Sequence, residues 1–186
     1  MITYEDSFHT DVERIEASRV VVFYHKNCPD GCTAAWVVGM AHDEPCGQIP
    51  VMHCEMSPDD ERVEACAGKV VYMVDTYQSG ETLMRIEDVA DRLIIMDHHV
   101  SGVGDCTGIR EYIYSDHACG ALIAWEALFP GPPPALVRYV NDMDLWKNEL
   151  PNTKEIQMVL RDIRTPDDAG RLSQRMEFAI DMIVKS

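Results

Sequence analysis

Val20-Val21-Val22-Phe23-Tyr24-His25-Lys26-Asn27-Cys28-Pro29-Asp30-Gly31 begins with five β-branched or aromatic residues and runs into a polar turn. An unbroken apolar run of that length, bounded by turn residues, predicts a strand buried on both faces. Thr33 to Ala41 then has the composition of a helix. The same pattern returns twice: Val70 to Val74 ends at Asp75, and Leu93 to Met96 ends at Asp97. Between these strands Glu81 to Ala90 puts Leu83, Ile86 and Ala90 on one helical face. Val51 to Cys54, after Pro50, and Tyr112 to Tyr114 are shorter candidate strands. Ala118 to Leu128 reads as a helix and Ala135 to Asp142 starts the next one, the two separated by the breaker cluster Pro130-Gly131-Pro132-Pro133-Pro134. From Asp167 to Val184, Leu172, Met176, Ala179, Ile180 and Ile183 recur at helical spacing. Strands alternating with helices predict an α/β fold, a mostly parallel sheet flanked by helices on both faces, with a helical C-terminal tail.

Sheets of this kind carry their ligand sites beyond the carboxyl ends of the strands. The three buried strands finish there in metal-ligating side chains: His25 and Asp30 after the first, Asp75 after the next, Asp97-His98-His99 after the last. Carboxylate oxygens suit hard divalent cations, and imidazole adds affinity for manganese or zinc. Neighbouring strands lie ~4.8 Å apart, so residues distant in sequence can share a two-metal site. An Asp at a strand end is often only a cap. Two adjacent histidines after an apolar strand have little packing rationale.

The net charge of −16 opposes binding to long duplex nucleic acid or anionic membranes, while a carboxylate-rich cleft can still take an anionic substrate through bound metals. No apolar run approaches the ~20 residues of a membrane span. Met1 to Arg14 carries Glu5, Asp6, Asp11 and Glu13 and no apolar core, unlike a secretory signal. The seven cysteines form no CxxC pair, which disfavours a zinc ribbon and a disulfide framework and fits free thiols in a reducing cytoplasm. Trp36, Trp125 and Trp146 are expected in the core or at its rim. Ser115-Asp116-His117, before a helix, could direct backbone N–H groups at an anion, or simply cap it.

Four segments in order, His25-Lys26-Asn27-Cys28-Pro29-Asp30-Gly31, Val74-Asp75, Ile95-Met96-Asp97-His98-His99 and Asn141-Asp142-Met143-Asp144-Leu145-Trp146, resemble the successive motifs of the DHH phosphoesterase superfamily. That superfamily includes RecJ-like exonucleases, short-oligoribonucleotide hydrolases, cyclic-dinucleotide phosphodiesterases and pyrophosphatases. The resemblance implies a first metal site from His25, Asp30 and Asp75, and a second from Asp75, His98 and Asp142, with Asp75 bridging. Asp144 is the alternative to Asp142. It implies that His99 meets the scissile phosphate and that Asp97 orients a histidine or a water. Cys32 stands where many relatives carry a further aspartate. It either offers a thiolate to the second metal or packs within the first helix. Most members of the superfamily carry a further C-terminal domain that grips the substrate, but only about 40 residues follow Trp146 here, so the expectation departs from the family: one domain over 1–186, with a motif-bearing core over about 20–151, a helical tail over 152–186 and no separate C-terminal substrate-binding domain.

The expected activity is hydrolysis of a phosphodiester in a short oligonucleotide or a small or cyclic nucleotide by a metal-activated water. The expected cofactor is two manganese ions, with magnesium, cobalt or zinc as alternatives. A metal- and nucleotide-binding or protein-interaction module of weak activity, and a pyrophosphatase-type anhydride hydrolase, are the rival expectations. The expected partner is a small phosphorylated substrate in the cytoplasm.

Overall fold

The structure, a computed structural model, describes residues 11–184, with side chains through residue 176. The N-terminal segment read above lies largely outside the described residues, as do the side chains of Ala179, Ile180 and Ile183.

The core is a five-stranded sheet in the order β2-β1-β3-β4-β5, with every neighbouring pair parallel. The strands are β1 (Val20–His25), β2 (Gly47–Val51), β3 (Val70–Val74), β4 (Arg92–Asp97) and β5 (Glu111–Tyr114). Along β1 the side chains alternate between faces, as the pleat requires. Val20, Val22 and Tyr24 enter one apolar cluster, and Val21 and Phe23 the other. On the first face lie α2 (Pro29–Met40), α5 (Gly120–Leu128), α6 (Ala135–Asp144), α7 (Thr153–Leu160) and α8 (Pro166–Val184). On the second lie α1 (11–16), α3 (Glu61–Ala65) and α4 (Gly80–Val89), through Ile15, Val63, Leu83 and Ile86. Both faces are therefore covered, which is why the central strands read as continuous apolar runs. Among the described residues no helix is long and apolar enough to cross a membrane.

Two elements differ in substance from the sequence expectations. Strand β2 is Gly47–Val51 and contains Pro50 rather than following it. It is an edge strand paired only with β1, where a missing N–H is tolerated. Helix α2 starts at Pro29, not after Gly31, because proline is well placed in a first helical turn. Helix α6 starts at Ala135 as expected and runs through Asp144.

Candidate metal centre

In the order 2-1-3-4-5 the chain departs in opposite directions from β1, and the crevice opens at the carboxyl ends of β1 and β3. His25 ends β1 and Asp75 follows β3 directly. Asp75 has a left-handed backbone (φ 55°), a region that aspartate tolerates better than most residues, and its N–H donates to the Met96 carbonyl of β4. This turn aims the carboxylate across the sheet edge instead of along the strand.

Four acidic groups and four imidazoles converge there. His98 Nε2 stands 3.2 Å from Asp75 Oδ1, 3.7 Å from Asp30 Oδ2 and 3.5 Å from Asp144 Oδ2. His25 Nδ1 lies 3.5 Å from Asp75 Oδ2. Both atoms are buried and neither has a hydrogen-bond partner. His99 Nδ1 donates to Asp97 Oδ1 at 2.7 Å, and Asp97 is fully buried. The His53 ring packs 4.2 Å from that of His25 and 4.4 Å from that of His99, stacks on Tyr77, and bonds through Nδ1 to the Thr76 hydroxyl at 3.1 Å.

Asp30 is completely buried, yet both its oxygens are bound. Gly120 N–H donates to Oδ2 at 2.7 Å and Ala121 N–H to Oδ1 at 2.8 Å. These are the first amides of α5, so the helix terminus holds Asp30 itself. Ser115, Asp116 and His117 precede that helix but do not form an anion site with these amides. Two glycines make the approach feasible. A Cβ on Gly31 would lie 2.4 Å from the His25 carbonyl, and one on Gly120 would lie 2.7 Å from Asp75 Cβ.

The electrostatics describe a cluster short of positive charge. Burial, then repulsion from Asp75 and Asp144, pushes the Asp30 carboxyl well above its ordinary range. Burial and Asp75 likewise raise Asp144. Burial alone would raise Asp75, but the neighbouring His25, His98 and His99 imidazoles win and hold it low. Burial disfavours the His98 imidazolium, yet Asp75, Asp30 and Asp144 overcome this and lift it to about 9. His99 is raised for the same reason, against its burial, chiefly by Asp97. His53 is lowered by burial and by His25 and His99. A divalent cation would neutralise the acids and use the unpartnered atoms, and the carboxylate and imidazole donors suit it. Among the described residues, four groups present donor atoms within 4.8 Å of one another: His25-His53-His99, His25-Cys28-Asp75, Asp75-His98-His99 and Asp30-His98-Asp144.

The structure thus brings together His25, Asp30, Asp75, Asp97, His98, His99 and Asp144, and leaves out two sequence candidates. Asp142 faces away: its Oδ2 accepts from Thr153 Oγ1 at 2.6 Å and its Oδ1 from Glu149 N–H at 2.9 Å. Cys32 is fully buried in the apolar cluster between the sheet and its helices, and burial pushes its thiol up to about 12. One geometric reason covers both. Residues two apart on a helix point about 200° apart, so when Asp144 and Asp30 face the site, Asp142 and Cys32 cannot. Cys28 and His53 were not singled out from the sequence. Their only signal is position, since Cys28 follows the end of β1 and His53 the end of β2 on the same sheet edge. Trp146, expected at the core or its rim, is 81% exposed.

The chain is 28% identical over 148 residues to uncharacterized protein R106 of Acanthamoeba polyphaga mimivirus, a match covering 73% of this chain and 35% of the viral protein. Its fold matches the crystal structure of an uncharacterized protein from Helicobacter pylori G27 with a TM-score of 0.58 and 15% sequence identity, covering 86% of this chain and 63% of that one. The chain therefore spans about a third of its viral relative and just under two thirds of the bacterial chain. No protein-family model matches it. At this identity the likeness to the bacterial protein shows the fold alone.

Proposed function

We propose that this chain is a metal-dependent phosphoesterase of the DHH type, hydrolysing a phosphodiester in a short oligonucleotide or a small or cyclic nucleotide. The observation that carries this reading is the set of three carboxylates, from Asp30, Asp75 and Asp144, around one nitrogen of His98 at the strand carboxyl ends. The order of the four sequence motifs supports it independently. Asp30, Asp75, Asp144, His25 and His98 would hold the metals. When bound, divalent cations supply a water of lowered pKa and positive charge for the phosphoryl oxygens.

The protein's own part is positioning and charge. The α5 amides lock the Asp30 carboxylate, and Asp75 stands between His25 and His98. Asp97 holds Nδ1 of His99 and leaves Nε2 free to donate to a phosphoryl oxygen. Against the burial of the ring, the Asp97 carboxylate favours the imidazolium form of His99, and such a donor would stabilise charge as it develops in the transition state. His99→Ala should keep its metal and lose roughly 10²–10³ in rate, the usual effect of removing one such donor.

Purified protein with manganese should be offered a linear dinucleotide, a cyclic dinucleotide and pyrophosphate, with Asp75→Asn as the blank. Cleavage of a nucleotide diester, abolished by chelator and by Asp75→Asn, is the expected result. Turnover of pyrophosphate alone would shift the reading to anhydrides. No turnover of any of the three by metal-loaded protein would overturn it.

A further inference from the structure

The donor set at the sheet edge is larger than the one the motifs supply. Cys28 sits at the N-cap of α2, between the end of β1 and Asp30. Its sulfur is within 4.8 Å of a nitrogen of His25 and an oxygen of Asp75. Two facts give this trio meaning beyond proximity. The Asp75 side chain is 1% exposed, and its Oδ2 has no hydrogen-bond partner; nor has the buried His25 Nδ1 beside it. Cys28 also stands at the N-terminal end of α2, where the helix dipole favours an anionic ligand such as thiolate. Asp30 groups instead with His98 and Asp144, a set containing no sulfur.

We propose that Cys28 is a metal ligand and that the centre is chemically asymmetric, with His25, Cys28 and Asp75 taking a borderline-soft cation such as zinc and Asp30, His98 and Asp144 taking a harder one such as manganese. This deepens the metal-dependent reading above and rests on it. Thiolate selects zinc or cobalt(II) over manganese and magnesium, while two carboxylates and one imidazole suit manganese. One nitrogen, one sulfur and one oxygen are three protein ligands, the number at which zinc sites keep a position open for water. Binding breaks the S–H bond. The proton leaves to solvent and the sulfur lone pair forms the bond to the cation, with no change of oxidation state. In the metal-free chain, burial and the Asp75 and Asp30 carboxylates keep the thiol protonated, and a cation reverses that balance.

Titration of the full chain with cobalt(II) tests this directly, because thiolate ligation adds a charge-transfer band in the near ultraviolet. The band should grow in with the first equivalent, persist in Cys32→Ser and vanish in Cys28→Ser. Zinc affinity should fall by at least the 10–100-fold roughly expected when a metal site loses support, while manganese affinity is unchanged. Cys28→Asp is the second variant: it should bind cobalt without the band, so that sulfur is removed and the site kept. Cobalt bound without a band, a band surviving Cys28→Ser, or no cobalt bound at all would each overturn the proposal. Hydrolysis by a protein lacking the band would do so while leaving the phosphoesterase reading intact. A band in a protein that hydrolyses no phosphate would uphold the ligand and overturn that reading.

Discussion

Gly120→Ala replaces the hydrogen at the first position of α5 with a methyl group, at the point where helix, Asp30 and Asp75 meet. The new Cβ would lie 2.7 Å from Asp75 Cβ and 3.1 Å from Asp30 Oδ2. Carbon atoms pack at about 3.5–4.0 Å, so one partner must retreat by roughly 0.8 Å or more. Asp75 has little freedom to do so, since its backbone is left-handed and its N–H is bonded into β4. The helix must move instead, and its amides carry Asp30 with it. Overpacking of this kind costs about 1–3 kcal/mol, against at most about 1 kcal/mol gained from alanine's helix propensity. For a chain of this size, a net loss of 1–2 kcal/mol lowers the melting temperature by roughly 2–8 °C. The larger effect should fall on the site, which tolerates misplacement of only about 0.5 Å, and about 1 Å can cost 100-fold in rate. Gly104→Ala is the control, because nothing lies within 4 Å of its built Cβ. Thermal melts and calorimetric metal titrations of the two variants decide the matter. A Gly120→Ala protein that melts and binds metal like wild type would refute the geometry.

The two aspartates of α6 should separate cleanly. Asp144→Asn should lose metal affinity with little change in metal-free stability, whereas Asp142→Ala should keep its metal and lose about 1–3 kcal/mol in chemical denaturation, because the Glu149 amide loses its acceptor and the Thr153 hydroxyl is left with the Leu150 carbonyl alone. Cys32→Asp should melt lower than wild type and bind no additional manganese, since it buries an unpaired charge among apolar side chains; a gain in manganese affinity would return position 32 to the site. Metal affinity should rise with pH from 6 to 9. His98, lifted to about 9, is protonated across that range without metal and must give up its proton to ligate, so affinity is lost as pH falls below that value. Calorimetry in buffers of different ionisation enthalpy should show protons released on binding, and a pH-independent affinity would contradict the assignment.

The parallel sheet was legible in Val20–Tyr24, Val70–Val74 and Leu93–Met96 because strands covered on both faces need apolar residues at every position, a signal that requires no long-range information. The site followed from the fold rule that places ligands at strand carboxyl ends, which gave His25, Asp75 and the Asp97-His98-His99 group their meaning. What the sequence hid was helical phase. Pro29 looked like part of a turn, so Asp30 and Cys32 seemed able to share a face. As the opening of a helix it sends them to opposite sides. The same two-residue step separates Asp142 from Asp144, and only the observed extent of α6 decides between them. His53 carries no motif at all. It reaches the site because β2 lies beside β1, a pairing set by tertiary contacts that local pattern does not encode.

The most direct test is the metal content of the purified chain after equilibration with manganese and zinc, measured alongside Asp75→Asn. Asp75 faces His25 through one oxygen and His98 through the other, so it belongs to both halves of the centre. Two metals per wild-type chain and none in Asp75→Asn are expected. A wild type that binds no metal, or an Asp75→Asn protein that still binds two, would contradict the assignment of this cluster as a metal centre.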